Sequence, residues 1–586
     1  MYTSKQTYEL ISKTTNNPIL EWRVCRLSGE EFPIFQSEKV LLEKMSPTVW
    51  WQTIHLPLPT ICREERQKRR LSHKNERRLY KRYVSQYDQT LLSMYDPKNP
   101  QPVMKIKDYF SDSRDAQSYG KLRNKVDDPC ALFHMMESET PKRILMQWSS
   151  VENSDYTNSI GSSKNCYRLF NADGATDCLY GRQIKFSDRC MDSFFLSWCS
   201  QCYECINCSD CGQLWYSELC KNSHNSLFLY NCNGCDHCLF CSNLNNQSYY
   251  IRNKSVSKEE YLAEKSKIDI WSSMNVRKYV SDFSDFINKE FHSATVVKNC
   301  DNCSGHNITD WVDSLFCFDC NTIENCHYST NLVSSSTDCL DVDGVGFTIQ
   351  MVYNSNTVLK NSSHVYCCQS CWTECYNLFY SSDCKACKNC LFCNGLVNKE
   401  YCIFNTQYTK DEYESLFLEI AWYMQKQWTR WEFPAPQNSS FGYNETVSND
   451  LYPLTREQAL SQWFKRQDNV YDVAIPLWSD CLSANDLSDH IQEVDDSILS
   501  KVILCSQSKR PFRLQKVELD FYRTHSIPIP RFHPDVRYQK RLEVWLHRKL
   551  FTRNCSQTSD PIVSIYDKDV LFPVLKNDIF DKLVYS

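Results

Sequence analysis

Glycine is scarce in this 586-residue chain, with 12 in all, and no apolar run approaches a membrane span. A span needs ~20 predominantly apolar residues. The glycine-dependent catalytic signatures are missing as well: there is no G-x-S-x-G nucleophile elbow, no phosphate-binding loop and no complete dinucleotide fingerprint. An H-E-x-x-H helix is also absent. These gaps argue for a non-enzymatic protein. Neither sign of charge dominates: the net charge is −5 with 23% charged residues, so the chain as a whole is neither a basic nucleic-acid coat nor an acidic tail. The opening residues, MYTSKQTYELISKTTNNPILEW, lack the apolar core of a secretory leader. The expectation is a cytoplasmic or other reducing compartment, no membrane, and thiols or metal thiolates in place of disulfides.

What the chain has in abundance is cysteine, 34 residues gathered into clusters. Cys199, Cys202, Cys205, Cys208 and Cys211 recur at every third position. Cys232, Cys235, Cys238 and Cys241 do the same, as do Cys384, Cys387, Cys390 and Cys393. One reading makes them small apolar residues stacked inside a repeat, since a buried thiol behaves as a compact hydrophobe. The other gathers four thiolates around a tetrahedral zinc ion, with His237 as an additional candidate ligand. Iron–sulfur ligation and disulfide stapling remain open beside these.

A longer period runs through the same region. Cys166, Cys178, Cys190 and Cys202 step by twelve, as do Tyr216, Phe228 and Phe240. Like residues at so short a spacing, without a 3.6-residue period, predict a β-solenoid in which side chains stack from coil to coil. The segment 232–261 recurs at 384–413 with a constant offset of 152, and Tyr380, Phe392 and Phe404 repeat the aromatic step. Ser257 with Glu260, and Thr409 with Glu412, read as capping boxes that open helices after each stack. Asp341-Val-Asp343-Gly344 reads as a polar turn between coils.

The two ends resemble each other. From Pro57 onward the chain aligns with the segment from Pro528 at a constant offset of 471, which places Arg66 on Arg537 and Tyr95 on Tyr566. Both copies carry a basic run, ten Lys/Arg against three Glu over 63–82 and seven against two acidic residues over 531–553. Such density suits phosphate neutralisation. The candidate nucleic-acid contacts are Arg66, Arg69, Arg70, Arg77, Arg78, Arg82, Arg537, Lys540, Arg541, Arg548 and Arg553. The plainer alternative is a solvated helix face with i,i+4 pairs such as Glu65 with Arg69. Where paired C-x-x-C turns would make a zinc ribbon, the second members are missing: Ser28 follows Cys25, Glu65 follows Cys62 and Ser508 follows Cys505. Cys505, His533 and Cys555 are left as a three-ligand candidate.

The predicted fold is mainly β, with two tandem cysteine-rich β-solenoid segments and capping helices, flanked by duplicated zinc-ribbon-like α+β end domains. In chain order these are an end domain (1–115), a lead-in and first solenoid (116–256), a helical cap (257–295), the second solenoid (296–408), a helix (409–430), a linker with short helices (431–500) and the second end domain (501–586).

Several strings, FGYNETV (441–447), YPLTREQAL (452–460), NKEYCIFNTQYTKDEY (398–413), RRLSHKNERRLYKR (69–82) and SMYDP (93–97), carry a resemblance over nearly the whole length. The chain resembles a bacterial family of cysteine-rich repeat proteins with zinc-ribbon ends. The resemblance implies this same order of segments, with C-x-x-C pairs at the ends that this chain has largely lost, and it implies no activity. The expected function is a scaffold whose solenoid faces meet a protein partner and whose basic ends meet a ribonucleoprotein or nucleic acid. The alternative is a zinc- or redox-handling thiolate-cluster protein.

Overall fold

The computed structural model describes every residue except 1, 126, 149, 427–430, 469–479, 546–547 and 586, and the side chains of 345 and 346. The chain is mainly β, and the solenoid expectation holds.

A three-residue backbone repeat builds the coils. Gln201, Glu204, Asn207 and Asp210 have left-handed φ values between 49° and 57°. Each is followed by a buried cysteine, Cys202, Cys205, Cys208 or Cys211. The chain therefore turns a corner every third residue and aims one side chain per side into a common lumen. A left-handed L-residue is strained by ~1–2 kcal/mol, and two features offset this. Each coil hydrogen-bonds to both neighbours: the Asn165 N–H donates to the Glu152 carbonyl at 3.0 Å and the Lys164 N–H to that of Ala175 at 2.9 Å. Corner side chains also form ladders, as where Asn153 donates to Asn165 and Asn165 to Asp177, both at 2.8 Å. Asn and Asp tolerate the left-handed region best among non-glycine residues, which is how the corners form with so little glycine.

The aromatic steps stack as expected. Tyr216, Phe228 and Phe240 lie with ring centroids 5.1 and 4.7 Å apart, and Tyr380, Phe392 and Phe404 at 4.9 and 5.3 Å. These are close to the spacing of adjacent β-strands. In the first solenoid parallel pairing advances by twelve residues, Gly212 on His224 and His224 on Asp236. The second departs from a uniform twelve: it opens with an eleven-residue coil, Val297 on Ile308, and has thirteen-residue coils where Cys326 pairs with Cys339 and Val352 with Val365. The extra residue shifts the side-chain pattern out of step with the sequence period.

Each stack ends in a short antiparallel reversal, Tyr250 on Ser255 and Cys402 on Gln407. The capping boxes follow: Ser257 and Glu260 satisfy each other's backbone N–H groups, as do Thr409 and Glu412. The helix Ser273–Ile287 then sets Tyr279 and Phe283 edge-on against Phe228 and Phe240.

The segments regroup into two compact units that do not follow chain order. One comprises Met1–Leu145, Ser293–Asp468 and His547–Val570, joining the N-terminal end segment to the second solenoid. The other comprises Met146–His292, Asn469–Leu546 and Leu571–Ser586, joining the first solenoid to most of the C-terminal end segment.

Candidate functional site

Each basic run opens on a helix, and Arg66, Arg70, Arg537 and Arg541 turn inward from these helices. In the unit holding the second solenoid, the helix Arg63–Leu71 places Arg66 and Arg70 one turn apart on the same face. Arg66 Nε meets Asp341 at 2.7 Å, and Arg70 reaches Asp341 at 3.1 Å and Asp343 at 2.8 Å. Glu38 lies 3.7 Å from Arg66 and accepts a hydrogen bond from the Tyr328 hydroxyl at 3.1 Å. The Arg66 guanidinium stands over the Tyr328 ring, 5.0 Å from its centroid. Arg70 and Asp341 are fully buried. Burial pushes the Glu38 carboxyl up to about 7; Arg66 opposes that push and Asp341 adds to it.

The other unit repeats this arrangement at the offset seen in the sequence. In the helix Pro534–Trp545, Arg537 and Arg541 both bind Asp192, Arg541 at 2.8 Å. Arg537 also meets Glu518 at 3.3 Å, and Glu518 accepts from the Tyr180 hydroxyl at 2.8 Å. The Arg537 guanidinium covers the Tyr180 ring at 4.4 Å. Tyr180 and Asp192 occupy consecutive coils of one solenoid corner, as Tyr328 and Asp341 do in the other, and all four have left-handed φ. A tyrosine, an aspartate, a glutamate and two arginines thus form the same clamp twice.

Of the candidate phosphate contacts, Arg66, Arg70, Arg537, Arg541 and Arg548 are buried. Arg548 faces Asp319 at 3.4 Å. Arg69 is half-buried beside a cavity of about 1200 Å3 and binds Glu432 at 2.9 Å. Arg82 donates to the Asn99 and Gln101 carbonyls, and Arg553 to that of Asp567. Arg77 and Arg78 are half-buried, and Lys540 is exposed. The sequence reading missed the acidic partners. Asp341 and Asp343, read as a polar turn between coils, form the floor of a clamp. The signal was the pair of matched offsets, Arg66 and Arg70 on Arg537 and Arg541 at the ends, and Tyr–Asp at one-coil spacing within each solenoid.

All 34 cysteines are free thiols. The thirteen candidate ligands lie buried in the two lumens. Sulfur donates mostly to the carbonyl two residues earlier, as Cys199 to Ser197 at 3.4 Å and Cys387 to Lys385 at 3.3 Å. From Cys178 to Cys241 the thiols of the first lumen are neighbours that shift one another's acidity. Burial pushes Cys166 and Cys375 up to about 12, which keeps them protonated at neutral pH. Among the described residues no group of three or more His, Cys, Asp or Glu side chains is arranged to hold a metal ion. His237 pairs with Asp236 at 2.7 Å and stacks on Tyr249.

At the N-terminal end Cys25, Ser28 and Cys62 do come together: Ser28 lies 3.8 Å from Cys62, and the Cys62 thiol holds Cys25 down to about 5. Glu65 is engaged by the Tyr2 hydroxyl and by Lys68. The thiols brought together at this end are two, Cys25 and Cys62. Cys505 and His533 belong to one unit and Cys555 to the other.

No protein-family model matches the chain, and no curated protein does. Among solved structures, a chain from Desulfovibrio desulfuricans G20 described as a "putative acetyltransferase" aligns over 40% of this chain and 62% of its own length, at 11% identity and a TM-score of 0.11. So weak a likeness carries no argument about fold or activity. No helix among the described residues is long and apolar enough to cross a membrane.

Proposed function

We propose that this chain is a non-enzymatic scaffold of a reducing compartment, holding a protein assembly or ribonucleoprotein along its solenoid faces. The observation that supports it is the duplicated clamp. Both copies commit their buried charges to fixing an end segment onto a coil stack, as a rigid platform requires. The first solenoid offers a contact point on its outside: Phe186 and Trp198 stack with centroids 5.0 Å apart and remain 47% and 66% exposed. Of the candidate cations Lys540 is exposed, and contact with phosphate falls to it first. The test uses the full chain isolated with its bound partner. Crosslinks should map to the Phe186–Trp198 corner, and Phe186→Ala with Trp198→Ala should release the partner without changing the melting temperature. Retention of the partner by that variant would overturn the scaffold reading. Lys540→Glu should weaken salt-sensitive RNA binding, and unchanged binding would remove the ribonucleoprotein from the proposal.

A second reading, a zinc- or redox-handling thiolate protein, draws support from the unbroken run of thiols in the first lumen. Zinc there would have to replace the S–H···O bonds. Elemental analysis of reduced, folded protein decides it: several metal ions per chain favour this reading, and none retires it.

A further inference from the structure

The second solenoid opens on a pair of cysteines unlike those in its lumen. Among the described residues, strand Val297–Asp301 is the edge of its sheet and pairs with Gly305–Val312 alone, with no earlier coil over it. Cys300 and Cys303 sit at two successive corners of this coil, each following a left-handed asparagine, Asn299 or Asn302. Those asparagines donate to Asp310 and Asp313 at 2.9 Å, which pins both corners to the next coil. The two cysteines are partly exposed where the candidate ligand clusters are buried, and their S–H groups donate to the Lys298 and Asp301 carbonyls at 3.0 Å on the solvent side. The neighbouring Cys303 thiol holds the Cys300 thiol below its ordinary range. Thiol reactivity follows thiolate character and access. The other cysteines with any exposure, Cys130 and Cys481, have no second thiol on their own coil or turn, and burial pushes Cys130 up to about 12.

We propose that Cys300 and Cys303 are a surface dithiol that exchanges with low-molecular-weight disulfides while the rest of the solenoid stays reduced. The Cys300 thiolate attacks one sulfur of a disulfide such as oxidised glutathione, whose S–S bond breaks and releases one glutathione thiol, protonated from solvent. Cys303 then loses its proton and attacks the Cys300 sulfur. The second glutathione leaves, and a Cys300–Cys303 disulfide remains. Two protein thiols are oxidised and one external disulfide is reduced to two thiols. The bond would staple the opening coil, the edge most available for pairing with another chain.

The test is peptide mass mapping of the full-length, reduced protein after brief exposure to oxidised glutathione under native conditions. The peptide holding Cys300 and Cys303 should lose two hydrogens and carry no adduct, at least about tenfold faster than any change in the Cys199–Cys211 peptide. Cys481, lacking a partner thiol, should retain an adduct. Cys303→Ser should trap glutathione on Cys300, and Cys300→Ser should slow reaction at Cys303. Oxidation of the buried clusters at the same rate, or no change at Cys300 and Cys303 while Cys481 reacts, would overturn the proposal.

Discussion

The two clamps share one plan and differ in charge balance. The clamp of the first solenoid sets Arg537 and Arg541 against Asp192 and Glu518, two positive against two negative groups. That of the second sets Arg66 and Arg70 against Glu38, Asp341 and Asp343, two against three. Burial raises the glutamate of both clamps: Glu518 above its ordinary range, and Glu38, the carboxyl of its clamp farthest from a guanidinium, up to about 7. The two copies share one geometry, and the second adds Asp343 as a further partner for Arg70.

That difference makes the copies unequal under mutation. Asp192→Ala takes the carboxylate from buried Arg541 and leaves Arg537 on Glu518 alone, and should destabilise the unit by ~3–5 kcal/mol. Asp341→Ala leaves Asp343 on Arg70 and Glu38 near Arg66, so its cost should be smaller, ~1–3 kcal/mol. Urea unfolding of the two variants measures the gap, and equal losses would mean that Asp343 compensates nothing. The aromatic ladders, in contrast, should respond alike: Phe228→Ala and Phe392→Ala each remove the middle ring of a stack, for ~3–4 kcal/mol apiece by the same measurement.

Acid should weaken both units. Burial holds His73 and His327 down to about 4 in one unit, and His292 down to about 4 and His533 to about 3 in the other. Their folded values lie below the unfolded one, so the unfolded chain binds more protons in between. The stability they contribute is present above pH ~6.5 and is lost as pH falls toward 4. Thermal melts across that window should show losses of ~1–3 kcal/mol per histidine. Glu38 has the opposite sign. Its folded value lies above the unfolded one, so its ionisation costs stability as pH rises from about 4.5 to about 7. Glu38→Gln should therefore be nearly neutral at pH ~5 and stabilising by ~1–2 kcal/mol at pH ~8. A gain of equal size at both values would mean that Glu38 is not protonated in the clamp.

Much of the fold was legible because it is written in one dimension. Tyr216, Phe228 and Phe240 stack since each coil returns to the same place after a constant number of residues, and the Ser257–Glu260 box works over four residues. The clustered cysteines carried two local readings, stacked thiols or metal ligands, and all thirteen lie buried in the lumens. The thirteen-residue coils around Cys339 and Val352 were not legible, because an inserted residue dephases the repeat that reveals it. The clamps were half legible: the duplicated arginines could be aligned, but their destination could not.

Sequence by itself determined the coil spacing, the aromatic ladders, the helix starts and the doubling of both solenoid and end segment, since each depends on residues a fixed, short distance apart. Tertiary structure alone decided where the basic helices went. A run of arginines is equally suited to phosphate, to water or to a buried aspartate. Arg66 and Asp341 stand 275 positions apart in the chain, and only packing the end segment against the coils, where the guanidinium meets carboxylate and tyrosine ring together, settles which of the three it takes.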